Sequence, residues 1–193
     1  LIKLLILPFL TFIRKFYAYK VCLIPSDRLG HLSSNTNLFF IRHKKKLIAD
    51  ICYILIAPSL NSKQVANKEL LLMFIEHSKS VNNVNIICSN SLYFFVSFSR
   101  DIFAEKNLLS QLDYRSRESE FASGETIISF SQDQKNKGNK NLTQMGINKN
   151  VKIVSIFARD NSFLEHHNPS IDWSYHNYRD SKIESYIKSI RYL

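Results

Sequence analysis

Residues 47–57 read Leu-Ile-Ala-Asp-Ile-Cys-Tyr-Ile-Leu-Ile-Ala, with Asp50 the one charge in the run. An apolar stretch this continuous does not alternate. It fits a strand covered on both faces, which a parallel sheet under helices provides. Two shorter apolar runs flank it, Val21-Cys-Leu-Ile-Pro25 and Asn85-Ile-Ile-Cys-Ser89. Between the runs lie stretches of helical spacing. One covers about Asn35 to Arg42. The other covers 66–79, with Leu70, Leu71, Phe74 and Ile75 on one face. Strands alternating with helices predict an α/β fold, a Rossmann-like parallel sheet with flanking helices.

Further along, residues 92–98 are aromatic and apolar, and 100–120 read as a charged helix. The stretch Gln132-Asp-Gln-Lys-Asn-Lys-Gly-Asn-Lys-Asn141 has no apolar residue, so 131–150 is expected to be a polar loop or linker. Val151-Lys-Ile-Val-Ser-Ile-Phe157 reads as a strand, 160–180 as a polar, aromatic-rich loop, and Asp180 to Leu193 as a helix with Asp180 as its N-cap. The expected organisation is an apolar and basic segment at 1–20, an N-terminal domain at 21–130, a linker at 131–150 and the start of a second domain at 151–193. The sequence begins with Leu1 and stops inside a helical pattern, so the expectation is a piece of a longer protein.

The net charge of +10 is concentrated at the start. Residues 1–60 hold nine Lys/Arg against Asp27 and Asp50, a balance of +7. A basic, apolar start suits an anionic membrane surface and not a nucleic-acid groove. The run 1–13 is too short to span a bilayer, which takes about 20 apolar residues. No RNA-binding signature, zinc-finger spacing or basic-region heptad is present, so nucleic acid is not expected as a partner. Cys22, Cys52 and Cys88 each sit in an apolar run, as buried thiols of a reducing compartment do. The location expected is cytoplasmic, peripheral to or anchored in the inner membrane, with 1–20 as the candidate remnant of an anchor.

Chemistry-capable residues gather in two places. Residues 159–180 hold the only Trp, three of the six His and two Arg-Asp pairs, directly after a predicted strand. Ligands of open α/β sheets bind outside the carboxyl ends of strands. Arg159 there could grip a phosphate with its planar fork, or it could pair with loop neighbours. Ser26-Asp-Arg-Leu-Gly-His-Leu32 is the second patch. Gly30 is expected to allow a tight strand-to-helix turn, with Arg28 and His31 facing a cleft or simply exposed on a turn. Arg42-His-Lys-Lys-Lys46 reads as a solvated helix end. Asp160, Glu165, His166, His167 and His176 lack metal-ligand spacing, so no metal site is expected. A G-x-S-x-G elbow, a P-loop and a G-x-G-x-x-G are all missing.

Arg28-Leu-Gly-His-Leu32, Phe157-Ala-Arg-Asp160, Asp172-Trp-Ser-Tyr-His-Asn-Tyr-Arg-Asp180 and Tyr186 together resemble a bacterial glycosyltransferase family. The arrangement is also loosely similar to fucosyltransferases, although Phe157 stands where those enzymes have His. The resemblance implies two facing Rossmann-like domains and a nucleotide-diphosphate sugar as donor substrate, with no cofactor or metal. The acceptor would be a cell-surface glycan or a lipid-linked glycan. Carried over residue by residue, it implies Arg159, His176, Tyr178 and Arg179 at the donor, Arg28 and Gly30 at the acceptor side, and His31 or Asp160 as catalytic base. The competing expectation is a non-catalytic, membrane-associated structural or interaction protein, or a degenerate gene product.

Overall fold

The computed structural model describes residues 18–98, 120, 126–148, 151–167 and 169–192. The predicted start of the N-terminal segment and almost all of the helix at 100–120 lie outside the described residues. The chain divides into two compact units, 1–135 and 136–193.

In the first unit three parallel strands form a sheet of order β1-β2-β3: β1 Tyr19–Leu23, β2 Cys52–Ala57 and β3 Val84–Cys88. Helix α1 (Leu29–Lys44) joins β1 to β2, and α2 (Lys68–Ser78) joins β2 to β3. A third helix, α3 (Asn90–Phe98), follows β3 and lies against β2 and β1. The unit is thus an α/β fold, Rossmann-like in character. The central strand behaves as its composition demands. Tyr53, Leu55 and Ala57 point into one core with Phe39, Phe40, Leu71 and Phe74. Ile56, on the opposite face by strand alternation, is also buried, so both faces are covered. The aromatic residues pack edge-on and stacked: Phe39 meets Tyr53 at 5.1 Å, and Phe40 meets Phe74 at 6.0 Å. Each cysteine sits on its own strand as an unpaired thiol. Burial pushes Cys22 up to about 11, so it packs as an apolar residue and stays un-ionised.

Caps set the helix starts. Asn67 precedes α2, and its Oδ1 accepts the amide of Leu70 at 2.9 Å. The stretch read as a loop is instead helix α4, Gln132–Gln144, with no buried residue. Ser131 Oγ accepts from the Gln134 amide, and Gln134 Oε1 accepts from the Ser131 amide. That reciprocal pair is a capping box. Gly146, at φ 76°, closes the other end in the left-handed region.

The second unit departs further from expectation. Val151–Phe157 forms no strand and pairs with none among the described residues. Its side chains are exposed, Phe157 at 79%. A ladder needs a neighbouring edge, and the apolar pattern alone cannot supply one. The loop read at 160–180 contains helix α5 (Ser162–His167) and a 3-10 helix at Ser174–Arg179. A second 3-10 turn, Ile183–Tyr186, leads into α6, Ile187–Tyr192. Asp180 therefore does not cap a following α-helix; it ends the first 3-10 helix.

Candidate functional site

The carboxyl edge of the sheet is tied together by short polar residues that sequence reasoning passed over. Ser26, buried after β1, donates its hydroxyl to the Gln64 carbonyl (3.1 Å), and its own carbonyl accepts the Ala66 amide (2.8 Å). Past β2, the Ser59 amide donates to Asn90 Oδ1 at 2.9 Å, and the Asn90 amide donates to Ser59 Oγ at 3.3 Å. That reciprocal pair joins the ends of β2 and β3. Lys68 Nζ reaches Asn61 Oδ1 at 3.0 Å on the same edge. Serine and asparagine directly after each strand are the signal that could have identified them.

Arg28 and His31 stand on this rim. Arg28 is the N-cap of α1, with extended backbone (φ −131°, ψ 135°) and no side-chain capping bond; no acid occupies the first helical turn. A cation at the positive end of a helix dipole opposes stability, and the first amides of any helix have no acceptor within the helix itself. His31, exposed, lies in the same first turn. Gly30 does not form the tight turn expected of it. It lies inside α1 with an ordinary backbone, and no described residue comes within 4 Å of where a Cβ would be.

In the second unit, Arg159 is already engaged. Its Nη1 donates to Asp180 Oδ1 at 3.0 Å, and its Nη2 lies 3.5 Å from Asn161 Oδ1. The Ser181 amide donates to the Arg159 carbonyl at 2.9 Å, and Ser181 Oγ accepts the Arg159 amide. Buried Asn161 is the hub: its Nδ2 donates to the Trp173 carbonyl and to Asn177 Oδ1, which fixes the 3-10 helix against residue 161. Asp160 Oδ1 accepts the Ser162 amide at 3.1 Å and so caps α5. Tyr178 and Arg179 turn to one another, with Tyr178 OH accepting from Arg179 Nε at 2.8 Å and the guanidinium 5.2 Å from the ring. His176 belongs to the same 3-10 helix; its side chain lies outside the described atoms. Asp172 accepts the Ser174 amide at 2.9 Å, which holds its carboxyl below the usual range. Of the residues singled out in this segment, Arg159 joins Asp180 and Asn161, while Tyr178 and Arg179 form a separate pair.

Among the described residues, no group of three or more His, Cys, Asp and Glu is placed to hold a metal. No described helix is long and apolar enough to cross a membrane. No family model, curated protein or solved structure matches the chain.

Proposed function

We propose that the chain is a glycosyltransferase that moves a sugar from a nucleotide-diphosphate donor to a glycan or lipid-linked acceptor. The observation that carries this reading is the N-terminus of α1 at the carboxyl end of β1, with Arg28 at the cap position and His31 in the first turn. Helix amides and a guanidinium together suit an anionic group, such as the phosphate of a lipid-linked acceptor. In this reading Arg159 holds the donor diphosphate, and residues 151–193 open a second Rossmann-like domain. Val151–Phe157 would then have to join a sheet. Asp180 occupies Arg159 meanwhile and would give way to the phosphate. His31, exposed on the rim, would be the catalytic base; Asp160 is committed to capping α5.

Calorimetry with UDP, GDP and ADP tests the donor half. Arg159→Ala should weaken the preferred nucleotide, by less than the tenfold or more that a whole hydrogen bond to a charged group (roughly 1.5–3 kcal/mol) would give, because Asp180 must first give way. Arg28→Ala should leave nucleotide affinity unchanged and impair acceptor use. Absence of binding to all three nucleotides removes the transferase reading. The second reading, a membrane-associated interaction protein without catalysis, is favoured by the exposed lysines at the end of α1 and by the existing Arg159–Asp180 pair.

A further inference from the structure

We propose that the turn between α1 and β2, Lys44-Lys45-Lys46-Leu47, docks the chain on an anionic lipid bilayer. The inference does not depend on transferase activity. Lys44, Lys45 and Lys46 are exposed, and Leu47 beside them is 58% exposed. The turn has a definite geometry: the Lys46 amide donates to the His43 carbonyl at 3.1 Å and the Leu47 amide to the Arg42 carbonyl at 2.8 Å. Lys46 holds φ 54°, a left-handed conformation that a side chain makes costly and that glycine would adopt freely. Lys46 thus places a charge at a backbone position that costs stability. Below the turn opens a hollow of about 500 Å³, lined by His43, Lys44, Lys46, Ile48, Asp50 and Asn83. Its one acid, Asp50, accepts from Asn83 Nδ2 at 3.3 Å. The turn lies at the amino edge of the sheet, since α1 runs back from the carboxyl edge to the start of β2. The turn is thus at the end of the sheet opposite Arg28 and His31. Three cations around an exposed leucine match a lipid headgroup layer, where charge attracts and the apolar side chain inserts. An aromatic stacking platform, which single-stranded nucleic acid would use, is not part of this turn.

Co-sedimentation of the full chain with phosphatidylcholine vesicles, with and without phosphatidylglycerol, tests the proposal. Binding should require phosphatidylglycerol and weaken in high salt. Replacing Lys44, Lys45 and Lys46 by Gln should weaken it about a hundredfold, on roughly 1 kcal/mol for each lysine near the surface. The triple Arg variant should bind like the parent, and Leu47→Ser should lose binding that salt does not restore. Lys46→Gly separates the role from folding: it should raise the unfolding midpoint and lower vesicle affinity together. The proposal is overturned by binding that ignores phosphatidylglycerol, or by a triple Gln variant that binds as the parent does. It is overturned equally if those substitutions abolish binding to duplex DNA and leave vesicle binding intact.

Discussion

Gly30→Ala separates a turn glycine from a helical one. In α1 the residue sits two positions past the N-cap, its φ is not positive, and an added Cβ meets nothing within 4 Å among the described residues. An alanine there keeps every contact and removes backbone freedom from the unfolded chain, a gain of about 0.4–1 kcal/mol. With a urea slope near 2 kcal/mol/M, the midpoint should rise by roughly 0.2–0.5 M. The assay is equilibrium urea unfolding followed by circular dichroism. A fall in the midpoint would refute the helical placement, because only a left-handed or crowded glycine resists alanine. Binding adds a second readout. If a ligand backbone or phosphate approaches the first turn of α1 closely, the same methyl group weakens that ligand while the fold gains stability.

Other perturbations follow from the same geometry. Asp180→Asn should tighten nucleotide binding where Arg159→Ala loosens it, because the carboxylate 3.0 Å from Nη1 competes for the guanidinium; calorimetry on both variants checks the opposite signs. Burial, aided by the charge of Lys44, lowers His77 from its usual 6.5. The unfolded chain therefore binds that proton first, and stability should fall as pH drops below about 6.5. His77→Gln should flatten this part of the urea-midpoint profile. Ser131→Ala breaks the capping box and should cost α4 roughly 0.5–2 kcal/mol; faster tryptic cleavage at Lys135, Lys137 and Lys140 is the expected sign. Thr36 is fully buried, and its hydroxyl has no hydrogen-bond partner among the described residues. Thr36→Val removes that desolvated group and should raise the unfolding midpoint.

The first unit was legible because its signals are local. Residues 47–57 carry the apolar pattern of a doubly covered strand, and β2 fills its second half, Cys52–Ala57, with Leu55 and Ile56 both buried, while residues 47–51 stay outside the strand and Leu47 is exposed. The apolar spacing at 66–79 found α2 to within two residues at its start. Helix α4 was missed for the opposite reason. It has no apolar face, so periodicity gave nothing, and its start was marked only locally, by the capping box at Ser131 and Gln134 and by Asp133 in the first turn. The expected start of α1 at Asn35 was late because no capping residue marks Arg28.

Site chemistry was less legible, since residue type names a capability and partners are set by distant contacts. Asp180 reads as a helix cap from its neighbours alone, yet it pairs with a guanidinium 21 residues earlier. Asn161 and Asn177 look like loop polar residues, and they turn out to hold the segment together. The consequence for function is quantitative. A donor phosphate would not meet a bare Arg159; it would have to displace Asp180 from a pair whose side chains are about three-quarters buried. Affinity is then the difference between two charge-assisted contacts and not the strength of one. A weak nucleotide affinity that rises in Asp180→Asn fits an occupied phosphate site. An affinity indifferent to that change leaves Arg159 as a structural clasp between residues 159 and 180.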